Sequence, residues 1–192
     1  MAVTRFEDLD LSRQYTYADY LTWQFSERVE LLRGWIARMS PAQSRYHQDV
    51  SANISFALRN HFQGQECKIY DAPFDVRLQK TKGGETVVQP DICVICDRSK
   101  LTEQGCSGAP DLIIEILSPG NTNREMKDKF KLYEEAGVLE YWAVAPSNFM
   151  VLRYELRDGE YFGLRPETRE SSQIKSARFP EFSIDGEVIF RE

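Results

Sequence analysis

The sequence predicts a single domain of mixed α/β (α+β) class, and three observations carry that reading. One run, 112–117, is apolar on both faces, as a strand in the middle of a sheet must be; two long stretches before and after it keep helical spacing; and paired apolar segments meet at tight-turn dipeptides. At 192 residues, with 42% hydrophobic and 12% aromatic side chains, the chain suffices for one well-filled core. No internal repeat or low-complexity tract divides it.

Thr16 to Gln24, TYADYLTWQ, opens on an N-capping residue and carries Tyr17, Tyr20, Leu21 and Trp23, which predicts a short helix. RVELLRGWIARMSP reads as a hairpin that turns at Arg33-Gly34 and ends at Pro41. From Ala42 to His61, apolar residues at 46, 50, 54, 57, 58 and 62 predict the long first helix of the core, which stops near Gly64. CKIYDAPFDVRL and ETVVQPDICVIC read as strands, interrupted by Pro73 and by the turn Lys82-Gly83-Gly84. The central strand 112–117 follows a polar loop. Pro119-Gly120 breaks it, Thr122 and Glu125 suggest a capping box, and Gly137 is a stop, so a helix is expected from Asn123 to Ala136. LEYWAVAP is a further strand, and FMVLRYELRDGEYFGLRP is a hairpin turning at Asp158-Gly159.

Composition narrows the function classes. The longest apolar runs are only a few residues, and the N-terminus MAVTRFEDLDLSRQ lacks the apolar core of a signal peptide, so a cytoplasmic protein with no membrane span is expected. In such a reducing compartment Cys67, Cys93, Cys96 and Cys106 would stay thiols. Cys93 and Cys96, three apart on a strand, would point to opposite faces and could not easily share a zinc ion. A net charge of -6 and a pI near 5.1 argue against a general polyanion-binding surface, though a local basic groove stays open. No helix-turn-helix, zinc finger or aromatic RNA platform stands out.

Glu115 stands in the middle of the apolar strand GAPDLIIEIL. An uncompensated buried carboxylate costs several kcal/mol, so it needs a cation, a proton or a metal. Stepping about 100° per residue along the helix 123–136 puts Lys129 inside the apolar stripe of Met126, Phe130 and Tyr133. An inward lysine needs an anion as the glutamate needs a cation, and the helix follows the strand through a short loop. Asp91, set among apolar neighbours after Pro90, is a third charge for the same place. Two carboxylates and a lysine around one pocket can bind Mg²⁺ and act on a phosphate ester.

Pro90-Asp91 followed by Glu115-Ile116-Leu117 resembles the PD-(D/E)xK phosphodiesterase signature of restriction-endonuclease-like proteins, departing from it at Leu117, where the signature has its lysine. One branch, the restriction endonuclease family long labelled a domain of unknown function, carries that lysine on the following helix, and Lys129 fits the relocation. Its members resemble this chain in VELLRGWIARMSP, in PDICVICD, in the pair His47-Gln48 and above all in the block 109–146, within a likeness that covers roughly residues 15 to 165. The resemblance implies a restriction-endonuclease-like mixed sheet flanked by helices, with an N-terminal helix and hairpin, over one domain, 1–192. It implies Asp91 and Glu115 as ligands of Mg²⁺, with Mn²⁺ able to substitute, the carbonyl of Ile116 as a further ligand, and Lys129 as the catalytic lysine. Glu30, Glu125 and His47 would be accessory.

The function expected is hydrolysis of DNA phosphodiester bonds by a metal-activated water, with a homodimer favoured if both strands of a duplex are cut. The alternative is a catalytically silent nucleic-acid-binding or regulatory module on the same fold. Each residue also has a structural reading: Glu115 and Lys129 as a buried ion pair, Asp91 as a turn acid, Glu30 as a solvated strand residue, Asp111 as a cap at the start of its strand. Tyr133, Tyr141 and Trp142 are expected in the core.

Overall fold

The computed structural model of the chain describes residues 2–39, 44–79, 81–118 and 123–192, the side chains of 123–125 aside. Its first helix, α1, spans Tyr17–Tyr20 and opens on a reciprocal cap, in which Thr16 accepts from the Asp19 amide and Asp19 accepts from that of Thr16. It is shorter than the expected Thr16–Gln24, because the chain leaves the helix for Trp23 to bridge Val3 and for the Gln24 amide to bond the Val3 carbonyl. Strands β1 (Val29–Leu32) and β2 (Trp35–Arg38) form the hairpin, turning on Arg33 and Gly34, both at positive φ (55° and 83°), the conformation a two-residue turn of this kind requires. Helix α2 (Arg45–His61) starts on Ser44, whose hydroxyl accepts from the His47 amide; the expected start at Ala42 lies outside the described residues.

Short strands follow: β3 (Lys68–Asp71), β4 (Asp75–Leu78), β5 (Thr86–Val88), β6 (Ile92–Ile95), β7 (Leu101–Thr102) and β8 (Gly105–Ser107). Then come β9 (Leu112–Ile116), helix α3 (Asn123–Ala136), β10 (Glu140–Ala145), β11 (Met150–Arg157) and β12 (Glu160–Gly163). The remainder carries β13 (Glu167–Thr168), β14 (Ile174–Lys175), β15 (Ser183–Ile184) and α4 (Gly186–Ile189). Among the described residues one sheet has the order β2-β1-β5-β4-β8-β7, and a larger one has β12-β11-β10-β9-β6-β3, with β13 on β11. β9 pairs parallel with β10, α3 being the crossover, and antiparallel with β6. No helix among the described residues is long and apolar enough to cross a membrane.

The period of two along β9 sorts its side chains between two apolar layers. Leu112, Ile114 and Ile116 pack with Val50, Ile54 and Leu58 of α2; Ile113 packs with Leu132, Tyr133 and Ala136 of α3 and with Val76 and Val88 of the smaller sheet. Every residue of β9 is buried, as the doubly apolar run predicts. A third cluster, Phe6, Leu9, Tyr15, Val29, Leu31 and Val87, covers the outer face of the smaller sheet with the N-terminal segment.

One correction concerns the cysteines. Cys67 and Cys96 form a disulfide, against the expectation that all four cysteines are thiols. The antiparallel register Lys68↔Ile95 brings the residues just beyond β3 and β6 face to face, a proximity that reasoning from compartment alone does not see. Cys93 and Cys106 are buried free thiols, and Cys93 does face the α3 layer whereas Cys96 faces the α2 layer. In the C-terminal segment, Glu140 on β10 is fully buried and accepts from the Trp142 indole (2.6 Å), the Ser176 hydroxyl and the amides of Ala177 and Arg178 (3.0 Å each). It is the anchor of that segment. Glu140→Ala should cost at least ~3 kcal/mol in urea unfolding, since several charge-assisted bonds go at once, and should speed amide exchange across 174–184 before the central sheet.

Candidate active site

Strand alternation and register bring the charges together. The pairing Ile92↔Ile114 sets Asp91, one residue before β6, across from Glu115 on the same side of the sheet. Opposite Glu115 on the other flank is Ala143, whose small side chain leaves room above the carboxylate. In β1, Val29 and Leu31 belong to the outer cluster, which turns Glu30 inward toward the same space. The Gln89-Pro90 link between β5 and β6 joins the two sheets at this point, and the Gln89 amide donates to Glu30 Oε1 at 2.9 Å.

Helix α3 supplies the donors. Lys129 Nζ lies 2.8 Å from Glu115 Oε1 and 2.9 Å from Glu30 Oε1, and one turn later the Tyr133 hydroxyl donates to Glu115 Oε1 at 2.5 Å. At the end of β9 the Ile116 amide donates to Asp91 Oδ2 (2.7 Å), while His47 Nε2 lies 2.9 Å from the Ile116 carbonyl oxygen and 3.4 Å from Asp91 Oδ2. Nδ1 of the same ring is buried and has no hydrogen-bond partner among the described residues. Donation from Nε2 to the carbonyl therefore fits the tautomer that leaves Nδ1 bare.

Burial governs the electrostatics. Glu30, Asp91 and Glu115 are 4%, 7% and 8% exposed, and the Lys129 ammonium serves the first and the last of them. Burial, then the nearby charges of Asp91 and Glu30, pushes the Glu115 carboxyl up to about 7 although Lys129 opposes the rise. Lys129 goes up as well: burial lowers it, but Glu115 and Glu30 together outweigh that. The two directions agree, since an ammonium between two carboxylates gains from both of them, whereas Glu115 is buried beside other acids and shares that one lysine with Glu30. Burial and Glu115 hold the Tyr133 hydroxyl far above its ordinary range, so it remains a donor. Burial is the largest single effect on the His47 imidazole and lowers it, but Asp91, the Ile116 carbonyl and Glu115 together hold it above its usual value.

Buried carboxylates set close together are what a divalent cation can bridge. Among the described residues every hydrogen bond to Glu115 falls on Oε1 and none on Oε2, and the Ile116 carbonyl has a second lone pair. No three His, Cys, Asp or Glu side chains among the described residues converge as a ready cage. That donor set suits Mg²⁺, which takes one or two carboxylates and completes its shell with water and substrate oxygens.

The structure thus gathers Glu30, His47, Asp91, Glu115, Ile116 and Lys129, whereas the side chain of Glu125 lies outside the described residues. Asp111, at the other end of β9, accepts from the Cys96 amide (2.9 Å) and from Arg178 (3.1 Å), so it is a structural cap. Sequence reasoning assigned Tyr133 to the core and missed its hydroxyl; its spacing of four from Lys129 was the available signal. Because the folded carboxyl of Glu115 titrates near 7 and the unfolded one near 4.5, its contribution to stability is full below pH 4.5 and is lost as pH rises to 7. In metal-free buffer the stability of the wild type relative to Glu115→Gln should therefore fall across that window, by on the order of 2 kcal/mol, in chemical denaturation at matched pH.

A model of the Uma2 family, described as "Putative restriction endonuclease", matches residues 17–187. The chain is 27% identical over 177 residues to an uncharacterized protein, slr1290, of a Synechocystis strain, with 90% of each chain covered. In three dimensions it superposes on the crystal structure of a "putative nuclease" of DUF820 from Anabaena variabilis, with a TM-score of 0.72 at 18% identity, covering 92% of this chain and 97% of that one. With its mixed sheets, its helices and a family match that spans both flanks of the carboxylate cluster, the chain belongs to the Uma2 restriction endonuclease family, a nuclease-like group.

Proposed function

We propose that the protein is a metal-dependent endonuclease that hydrolyses DNA phosphodiester bonds, with Mg²⁺ as the resident ion and Mn²⁺ able to replace it. The observation that carries this reading is the buried cluster in which Asp91 and Glu115 oppose each other across two strands while Lys129 reaches Glu115 from the next helix. A structural ion pair between Glu115 and Lys129 needs no further acid, yet Glu30 and Asp91 stand beside it. When bound, the ion would lower the pKa of the attacking water and offset charge on the phosphate.

The chain's own residues prepare that chemistry. Lys129 keeps its proton and spends two of three donors on Glu115 and Glu30, leaving one for a water or a phosphate oxygen. Glu30 anchors the ammonium from the other sheet, so its position survives when a cation competes for Glu115. Tyr133 fixes one oxygen of Glu115 and thereby aims the other. His47 and the Ile116 amide do the same for the strand end and Asp91. Cutting both strands of a duplex would call for a homodimer, because one such site meets one scissile phosphate.

Mn²⁺ binding by titration calorimetry should be lost in Asp91→Ala. In the wild type affinity should rise as pH climbs toward 7, since the ion must displace the proton on Glu115. With Mg²⁺ or Mn²⁺ the purified protein should nick supercoiled plasmid, and Lys129→Met should slow nicking by roughly 10²-fold or more. Equal nicking by Glu115→Gln and wild type would end the assignment.

A further inference from the structure

At the ends of β1 and β5, on the side of the smaller sheet that the N-terminal aromatic residues cover, lies a cavity of about 340 Å³, within the size range of small-ligand sites. Its wall includes the aromatic series Tyr20, Trp23 and Phe25, with Tyr20 and Trp23 centred 5.3 Å apart and Trp23 stacked on Phe25 at 5.9 Å. The polar part includes Ser26, Glu27 and the trio Arg28, Asp75 and Gln89, the last three linked by bonds from Arg28 Nε to Gln89 Oε1 (3.0 Å) and from Gln89 Nε2 to Asp75 Oδ1 (2.8 Å). The Tyr20 hydroxyl also donates to Asp75 Oδ1, at 3.0 Å. Among the described residues two hydrogen-bonding atoms are left over: Arg28 Nη2 is buried without an acceptor, and Asp75 Oδ2 receives no hydrogen bond.

We infer that this cavity is a base-binding subsite, taking one unpaired nucleobase of the nucleic acid whose backbone lies at the Asp91–Glu115 cluster; the inference rests on the nuclease reading and specifies what that site holds beside the scissile bond. An aromatic wall receives the face of any base. A leftover donor and a leftover acceptor match a base edge that offers both a carbonyl and an amino or imino hydrogen. The lining argues against a phosphate, because its one arginine is accompanied by Asp75 and Glu27. Gln89 joins the two places, since its side chain lies in the cavity wall while its amide holds Glu30, and Asp91 is two residues further on. A base seated against Gln89 is thus registered to the carboxylates through a short, proline-stiffened link. A second cavity of about 520 Å³ on the other side of the Asp75–Gln89 pair, lined by the stacked rings of Tyr70 and Phe74, offers room for a neighbouring base.

The test is titration of the full chain in EDTA with short single-stranded oligodeoxynucleotides, one set bearing bases and one abasic, read by tryptophan fluorescence. Base-bearing strands should quench saturably and the abasic strand should bind far more weakly; Trp23→Leu and Arg28→Lys should each weaken binding of the former by on the order of tenfold. Abasic strands binding as tightly, both variants binding like wild type, or tetramethylammonium quenching in place of the base would overturn the inference. Glu115→Gln separates the two readings: it should abolish nicking and leave base binding intact. Base binding without any nicking by the wild type would remove the nuclease reading alone, and nicking with base binding indifferent to Arg28 and Trp23 would remove the subsite alone.

Discussion

One ammonium held between two buried carboxylates organises this molecule. Lys129 meets Glu115 on the central strand of one sheet and Glu30 on the hairpin of the other, so a single side chain ties α3 to both sheets. Such a triad is a poor way to gain stability, because the desolvation of each charge consumes most of what the attraction returns. Its effect is positional. The hairpin, the central strand and the crossover helix are fixed relative to one another at a point where carboxylate oxygens remain available.

The buried acids of this chain fall into two kinds, and their hydrogen bonds distinguish them. Glu140 and Asp111 are surrounded by donors from the C-terminal segment and from the strand neighbour, and each holds a loop to the sheet. Glu115 and Glu30 share one lysine, and among the described residues each keeps an oxygen that no donor reaches. Burial alone would rank Glu140 first as a functional residue, since it is the most deeply buried. Counting donors reverses that order, because a carboxylate already satisfied has no capacity left for an ion or a substrate.

Much of this was legible in the sequence, for reasons that can be located. Glu115 was visible because a charge interrupts a run that is apolar on both faces, Lys129 because it falls in a helical stripe, and Asp91 because Pro90 marks a break between strands. Glu30 was visible only through family resemblance: in VELL it alternates with apolar residues, and a strand residue of that pattern is as easily solvated as turned inward. Tyr133 was hidden by being apolar in all but one atom. The Cys67–Cys96 link and the assembly of the C-terminal strands depend on register between distant segments, which no local pattern encodes.

The departure at Leu117 is also explained by packing. The side chain of Leu117 packs at the edge of the apolar layer under α3, and its amide bonds the Val144 carbonyl at 2.7 Å, so the strand continues into its parallel neighbour without a charge to accommodate. A lysine on α3 approaches the same carboxylate from above and brings Tyr133 with it, one turn along the helix. The height of that helix over the sheet is in turn set by Phe130, which meets the rings of Tyr154 and Tyr161 with centroids 4.9 and 5.1 Å away and lies 6.4 Å from that of Tyr141. The position of the amine is thus inherited from aromatic packing rather than from the strand that bears the acid. Close-packed interiors shift little, so the helix can hold a charged group in place as firmly as a strand position two residues after the glutamate would.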